Sequence, residues 1–338
     1  MLKQSLKIVD GRLQECPPEE AQILVYVKPD EAEQRLLIDR LKVDEHTLAS
    51  SLDPDELARL EFEPEHAVAI FKRPRYYTAA DHFLFKVLSV GAFLFKNQLI
   101  VTLSEDMAIF DGAKTFARMH SPLDVFLRMI YRSIYHFLEH LRIIHTLSDE
   151  VELSINESSD NTSLLHLFTL EKSLVYFLSA IQSNGMLIGR LRNSQARLGM
   201  TEEQLEFVDD LQIENNQCFS EAKIYSDILS GMMDARVSIV SNNLNVLMKR
   251  LAILTVIFGL LNIPASMGGM SEFTRYVVEG LQVPMGVAYA LFTLGMGGLG
   301  WVCYRVLDFF QIFSVDASPT WRGRRRKLFP PAGSQPPT

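Results

Sequence analysis

The sequence predicts a membrane protein in which a mixed α/β cytoplasmic domain continues into a long stalk helix and a two-helix transmembrane hairpin. Residues 251–270 form a run of twenty residues without a charge, which is long enough to cross a bilayer as a helix. A second uncharged run, residues 283–304, follows after only twelve residues, so the two runs predict a tight hairpin. The 250 residues before them have the mixed polar and apolar patterning of a water-soluble domain.

These patterns divide the chain into five segments. We expect a cytoplasmic α/β domain at 1–118, a cytoplasmic helical hairpin at 119–198, a stalk helix at 199–250, a transmembrane hairpin at 251–307 with spans 251–270 and 283–304, and a basic cytoplasmic tail at 308–338.

The first segment contains short runs rich in Val, Ile and Phe that are bounded by Pro, Asn or Gly, as strands are. They lie at residues 23–28, 67–71, 83–89, 92–95 and 99–103. The polar residues Lys96 and Asn97 separate the last two runs. Residues 41–60 have a helical pattern with interruptions.

Helical periodicity begins at Ser121. Ser121, Pro122 and Asp124 are typical of a helix start, and an apolar face continues to about residue 147. After a polar break at 154–163, a second helix is predicted for 164–191. A third begins at Thr201, where Gln204 completes a capping-box pattern, and continues to Pro264.

The charge and the cysteine content exclude several classes of function. The net charge is −8, and residues 308–338 carry +3, so −11 remains on residues 1–307. An acidic domain argues against a nucleic-acid partner and is compatible with collecting cations. The three cysteines are far apart, so neither a disulfide framework nor a zinc ribbon is indicated. The first residues lack the apolar run of a secretory signal, so we expect none.

Basic residues flank both predicted spans on one side. Lys249 and Arg250 precede the first span, and Arg305 and the cluster at 324–327 follow the second, whereas the connecting loop holds only Arg275 against Glu272 and Glu279. Positive charge favours the cytoplasmic side, so both termini are expected there, with the protein in the cell (inner) membrane. The basic tail is also suited to anionic lipid headgroups.

A polar stripe follows one face of the first span and of the stalk before it. Steps of three and four residues hold one helical face, and here they select residues that are small or polar almost throughout. They are Ser238, Ser241, Asn245, Met248, Ala252, Thr255, Gly259, Asn262, Ser266 and Gly269. Polar groups inside a bilayer are costly unless they face protein or water, so several copies of this helix around an aqueous axis would explain the stripe. Small residues also allow close helix packing, and the pattern alone leaves both explanations open.

The motif around this span resembles the CorA family of magnesium channels. Asn245, Met248, Lys249 and Leu251 follow that family's N-x-x-M-K-x-L start of the pore helix, and Gly269-Met270-Ser271 lies where the family has a Gly-Met-Asn triplet. Serine thus replaces the asparagine. Leu260 occupies the place of the family's mid-helix proline, and Pro264 lies one turn later. The chain is identified as a divergent member.

The resemblance implies a funnel-shaped homopentamer with a pore for a divalent cation, foremost Mg²⁺. Its filter would comprise Gly269, Met270 and Ser271, with Ser266, Asn262 and Thr255 as inner polar rings. The metal-contacting residues would be Ser271, Gly269 and Asn262, with Glu272 concentrating cations nearby. Met248, Leu251 and Asn245 would form the gate. No resident cofactor is expected, and Mg²⁺ is both the transported ion and a candidate regulatory ligand.

Two acidic clusters are candidate regulatory sites for divalent cations. The alternative interpretation is that they are ordinary solvated surface. They comprise Asp209 and Asp210 on the stalk and Asp53, Asp55, Glu56, Glu61, Glu63 and Glu65 in the first domain.

Several alternatives remain open. The protein could carry Zn²⁺ or another cation, or be a non-conducting pentameric scaffold of the same fold. His136, Glu139 and His140 match the H-x-x-E-H order of one class of zinc peptidase, although they lie in an amphipathic helix without a third ligand, and the protein is expected not to be an enzyme. Glycines at 295–300 lie inside an apolar run, in which Gly286, Ala290, Thr293, Gly297 and Gly300 form a small-residue face that indicates helix packing rather than a phosphate loop. The filter could instead lie at 262–264, but this would leave a span too short for a bilayer.

Overall fold

The computed structural model describes residues 1–111, 115–157, 162–271, 275–280 and 282–309. It contains two compact units, Met1–Asp234 and Ala235–Thr338. Glu272 and the basic cluster at 324–327 lie outside the described residues.

The first unit is built on one seven-stranded sheet. Its strands are β1 (Leu2–Val9), β2 (Arg12–Glu15), β3 (Ile23–Val27), β4 (Arg59–Phe62), β5 (Ala67–Pro74), β6 (Val87–Leu94) and β7 (Leu99–Leu103). The spatial order is β2-β1-β3-β7-β6-β5-β4. β3 and β7 pair in parallel, and the other neighbours are antiparallel.

Helices cover both faces of the sheet because its central strands are apolar on both sides. Ile23 and Val25 of β3 join the larger core, which contains the buried faces of α3 (Pro122–Glu157) and α4 (Thr162–Asn193). Leu24 and Tyr26 point to the opposite face and join the core of α1 (Glu31–Leu41) and α2 (Glu45–Leu52). The first unit therefore has three layers.

The predicted strands are only partly correct. β3, β5 and β7 are confirmed, and the polar turn between β6 and β7 is closed by a hydrogen bond from Phe95 N to Gln98 O of 2.8 Å. The separate runs at 83–89 and 92–95 are wrong, because β6 passes through Gly91 without a break. A Cβ at Gly91 would overlap the Thr102 hydroxyl and the Ser51 side chain, so this glycine marks close packing rather than a strand end.

Three strands were not predicted. β1 and β2 form a hairpin around Asp10 and Gly11, which both have positive φ, and an Asp-Gly pair is a strong hairpin signal. The helical pattern at 41–60 is correct only for α2. The structure ends α1 at Leu41 and places β4 at Arg59–Phe62, where pairing with β5 overrides the local pattern.

The predicted helix starts are confirmed. Asp124 N donates to Ser121 Oγ at 3.2 Å at the start of α3, and Ser121 N donates to Asp124 Oδ2 at 3.0 Å. After the short helix α5 (Gln195–Leu198), α6 begins at Glu202, where Thr201 N donates to Gln204 Oε1 at 3.0 Å. α3 extends to Glu157, beyond the predicted end near residue 147.

The second unit holds the apolar helices. α6 (Glu202–Gly268) continues into it through Pro264, and a π-helical turn at Tyr276–Gly280 and α7 (Met285–Phe309) follow. Within the described residues, α4, α6 and α7 are each long and apolar enough to cross a membrane. The protein buries 39% of the most apolar part of α4 but only 6% of that of α6 and none of that of α7, so α6 and α7 leave far more of their apolar surface uncovered than α4 does.

Candidate functional site

The proposed pore-lining and gate residues lie along one exposed face of α6. Asn245, Thr255, Asn262 and Ser266 are exposed in the single chain. Met248 and Leu251 are also exposed, at 69% and 66%, although both are large and apolar. These six side chains are therefore accessible within the described part of the second unit.

The opposite face of α6 is partly covered. Its half-buried residues are Ile253, Ile257, Leu261 and Pro264. Leu261 approaches α7 closely, because a Cβ at Gly300 would lie 3.7 Å from Leu261 Cδ1. With 3.6 residues per turn, the centre of this face lies roughly 180° around α6 from the stripe of Thr255, Gly259, Asn262 and Ser266. The stripe therefore faces away from α7.

The hydroxyl group of Thr255 is oriented by the helix itself. Its Oγ1 donates to the Leu251 carbonyl oxygen at 2.9 Å. The proposed gate residue and the first polar ring are thus linked within one turn of α6.

The predicted filter lies just beyond the end of α6. Gly269 N donates to the carbonyl oxygens of Ala265 and Ser266, each at 3.2 Å, which closes the last helical turn. Gly269, Met270 and Ser271 are all exposed. About five turns of helix separate the predicted gate from the predicted filter. Each of these residues occurs once per chain, so a ring of any one of them would need several copies of the chain.

Within the described residues, the small-residue face predicted on α7 makes few close contacts. Of its members, Gly300 contacts Leu261, but a Cβ at Gly286 or Gly297 would meet nothing within 4 Å. The half-buried residues of α7 instead include Ala288, Phe292 and Met296, which lie on a neighbouring face.

The two histidines of the H-x-x-E-H pattern lie in the core of the first unit. His136 and His140 are 1% and 3% exposed. His136 Nδ1 accepts from Arg73 Nε at 3.3 Å, and His140 Nδ1 contacts the His136 carbonyl oxygen at 2.8 Å. Burial, followed by the neighbouring His140 and Arg73, lowers the pKa of His136 to about 3. A guanidinium beside a buried imidazole opposes cation binding there.

A partly buried ion-pair cluster next to these histidines was not predicted. Asp111 Oδ1 accepts from Arg73 at 2.7 Å, and its Oδ2 accepts from Arg132 at 2.7 Å and from the Tyr76 hydroxyl at 2.7 Å. Despite partial burial, these donors hold the pKa of Asp111 well below its usual range. Arg132 also binds Glu139 at 3.0 Å, so the carboxylate of the peptidase-like pattern is used in an ion pair.

The acidic candidates for regulatory sites are also partly engaged. Asp209 binds Arg192 at 2.5 Å, and Glu61 binds Arg59 at 2.9 Å. Among the described residues, no three His, Cys, Asp or Glu side chains come together as a metal-binding group.

Comparison with known proteins identifies similar chains. A family model described as "CorA-like Mg2+ transporter protein" matches residues 19–270. The chain is 26% identical over 268 residues to the cobalt/magnesium transport protein CorA of Methanocaldococcus jannaschii, which covers 74% of this chain and 80% of that protein.

Two solved structures share the fold. The complete CorA magnesium transporter structure from M. jannaschii superimposes with a TM-score of 0.73 at 18% identity, covering 91% of this chain and 96% of the other. The full-length CmaX protein gives a TM-score of 0.65 at 16% identity, with 91% and 98% covered. The similarity therefore extends over both the sheet-containing unit and the apolar helices.

Proposed function

We propose that this chain, which belongs to the family of CorA-like Mg²⁺ transporter proteins, conducts its cation through a pore lined by the α6 stripe. The chain is a membrane transporter of divalent cations, with Mg²⁺ as its main substrate, and not an enzyme. The observation that carries the pore assignment is the orientation of the stripe. Asn262 and Ser266 lie opposite the α6 face that Leu261 presents to α7.

The pore requires several copies of the chain. Five copies with α6 innermost and α7 outside would turn each stripe toward a common axis and leave the apolar surfaces to lipid. A homopentamer is the assembly that the family resemblance implies. Polar side chains are tolerated at bilayer depth when they line such a water-filled path.

The outer filter would consist of Gly269 carbonyl and Ser271 hydroxyl oxygens. Mg²⁺ loses water reluctantly and prefers octahedral oxygen coordination, so neutral oxygen rings can recognise the hydrated ion without a carboxylate cage. Asn262 and Ser266 would supply further rings along the pore. Ser271 offers a shorter side chain than asparagine and no amide, so its ring would be wider.

The gate would lie at the cytoplasmic end of the stripe. Rings of Met248 and Leu251 can close a pore by excluding water. Their exposure of 69% and 66% in the single chain leaves them available to meet across an axis. Asn245, one turn further toward the cytoplasm, would border this constriction.

Thiol accessibility tests the register of the pore. Single cysteines at Thr255, Asn262 and Ser266, in protein lacking its three native cysteines, should react with a small charged thiol reagent added to proteoliposomes. Modification should also block Mg²⁺ flux. Matched cysteines at Ile257 and Leu260 should react slowly because one lies toward α7 and the other on an apolar side. Equal reactivity of both sets would show that the stripe lines no aqueous path.

The serine at position 271 favours a second candidate, a protein that keeps the fold without conducting. Flux of Mg²⁺ and Zn²⁺ into liposomes that contain the purified protein separates the two. Flux above that of empty liposomes supports transport and identifies the ion, whereas its absence for both ions supports the scaffold.

A further inference from the structure

Arg305 is the last residue of the apolar stretch of α7, which begins at Met285. Its guanidinium lies over the indole ring of Trp301, with Cζ 5.6 Å from the ring centroid. The side chain therefore extends back along α7 toward the apolar span, in the direction that helical side chains tilt. A cation in this position is costly at bilayer depth unless an anion or water meets it.

The pair of Trp301 and Arg305 lies on the exposed side of α7. Trp301 is 63% exposed, and the same side carries Val287 and Leu294, which are 49% and 72% exposed. With about 100° per residue, Trp301 and Arg305 each lie roughly 160° around α7 from the centre of its half-buried face. The half-buried residues are Ala288, Phe292, Met296, Gly300 and Cys303. α6 approaches this face at Gly300, so the pair faces away from α6.

Arg305 lies deeper in the expected bilayer than the cations that precede the first span. The two helices of a hairpin run in opposite directions, and here Leu261 of α6 lies close to Gly300 of α7. Arg305 is five residues beyond Gly300, whereas Arg250 is eleven residues before Leu261. At about 1.5 Å per residue, Arg305 is roughly 9 Å deeper than Arg250. The anions at such a boundary are those of lipid headgroups.

The chemistry of the Arg305 guanidinium matches a phosphate. Its five N–H groups lie in one plane and can bind a phosphate through two parallel hydrogen bonds. The contact with Trp301 uses a face of this plane, which leaves the N–H groups along its edge available. Arg305 forms no ion pair with any residue whose side chain the structure describes.

We infer that Arg305 and Trp301 form a binding site for the phosphate headgroup of an anionic phospholipid. Arg305 binds the phosphate, and the indole of Trp301 holds the guanidinium at the membrane boundary and contacts the lipid chains. The positive flanks of the two spans identify this boundary as the cytoplasmic one. The site requires that this side of α7 meets lipid, but it does not require that the protein conducts ions.

Trp301 itself can report which lipid lies beside it. The chain has two tryptophans, Trp301 and Trp321, so Trp321→Phe leaves a single fluorescent reporter. This full-length parent protein would be reconstituted into vesicles of equal parts phosphatidylcholine and phosphatidylglycerol. Bromine on the acyl chains quenches nearby indoles, and only one of the two lipids carries bromine in each sample. Lipids mixed at random around Trp301 would quench equally in the two samples.

The parent protein should be quenched more strongly by brominated phosphatidylglycerol, with a preference of about fivefold for one basic residue at an anionic surface. Arg305→Gln should abolish this preference. Arg305→Lys should retain part of it, because the charge remains and the planar fork is lost. Arg250→Gln is the matched control and should stay within about twofold of the parent, since Arg250 lies on the other helix and roughly 9 Å away in depth.

Four results would overturn the inference. Equal quenching by both lipids in the parent would show that no anionic lipid is selected, and no quenching by either would show that protein covers this side of α7. A preference that survives in Arg305→Gln, or that falls equally in Arg250→Gln, would assign it to general surface charge. Asp308 follows one turn later, with its side chain outside the described residues, and a preference seen only after Asp308→Asn would show that Asp308 neutralises Arg305. Mg²⁺ flux tests the proposed function separately, because none of these measurements depends on conduction.

Discussion

Acidification should open the first unit, because His136 is buried in the neutral form. Burial and the neighbouring His140, Arg73 and Arg132 lower its pKa from 6.5 to about 3, and Asp111 only partly offsets them. Between these values the unfolded chain binds a proton that the folded chain does not, so stability is full above pH 6.5 and falls as the pH falls. At pH 5 the loss is about 2 kcal/mol, or roughly 25-fold in the opening equilibrium.

Cys218 provides the readout. Its side chain is fully buried, and burial raises the pKa of its thiol to about 12, so a thiol reagent reaches it only when the unit opens. We would measure labelling of full-length protein carrying Cys16→Ser and Cys303→Ser at pH 7 and pH 5. His136→Asn is the comparison, because an amide oxygen can still accept from Arg73 but does not titrate.

The ratio of wild-type to His136→Asn labelling cancels the pH dependence of the reagent. It should rise about 25-fold between pH 7 and pH 5. His140 and His66, whose pKa values burial also lowers, act in both proteins and leave the ratio unchanged. Asp111 has its pKa well below this range and does not titrate in it. A constant ratio would refute the idea that a buried neutral His136 makes stability depend on pH.

The other predictions concern the membrane unit. Ser271→Ala should lower Mg²⁺ flux about fivefold, because it removes one ring of hydrogen-bonding oxygen atoms from the pore. Size-exclusion chromatography should show intact assembly. Flux that is insensitive to this change but abolished by Asn262→Ala would place the filter at position 262 instead. Ser271→Asn should raise Mg²⁺ uptake in cells that lack their own transporter. Unchanged uptake would show that the missing amide at position 271 does not limit transport. Met248→Ser and Leu251→Ser should each increase cation leak severalfold, since a polar ring no longer excludes water; an unchanged leak in a conducting protein would remove both from the gate. Reporter fusions should place residue 338 in the cytoplasm and the loop at 271–282 outside, and an external C-terminus would contradict the charge-based orientation.

Local sequence signals were sufficient for much of this fold. The starts of α3 and α6 follow from Ser121 with Asp124 and from Thr201 with Gln204, because caps act within a few residues. The two apolar helices follow from uncharged runs whose length matches a bilayer. The stripe on α6 follows from helical periodicity alone, whereas the family resemblance follows from the motif residues before the span and at its end.

Contacts between distant residues explain what sequence reasoning missed. Gly91 reads locally as a strand end, yet β6 continues through it because Thr102 and Ser51 occupy the space of its side chain. Arg59 and Leu60 read as helical, yet pairing with Ile70 and Ala69 places them in a strand.

The histidine pattern shows the same dependence on tertiary structure. His136 and His140 resemble a metal-binding pair because helical spacing brings them to one face. Only the fold brings Arg73 against them, from 63 residues away in the chain, and buries both rings in the core.

The orientation of the polar stripe on α6 depends on contacts in the same way. Periodicity groups Thr255, Asn262 and Ser266 on one face of α6, because the 3.6-residue repeat is a property of the helix itself. It does not specify what that face meets. Leu261, on the side of α6 opposite the stripe, lies close to Gly300 of α7, so the stripe faces away from α7. This depends on tertiary structure because packing between helices depends on the shapes of both partners.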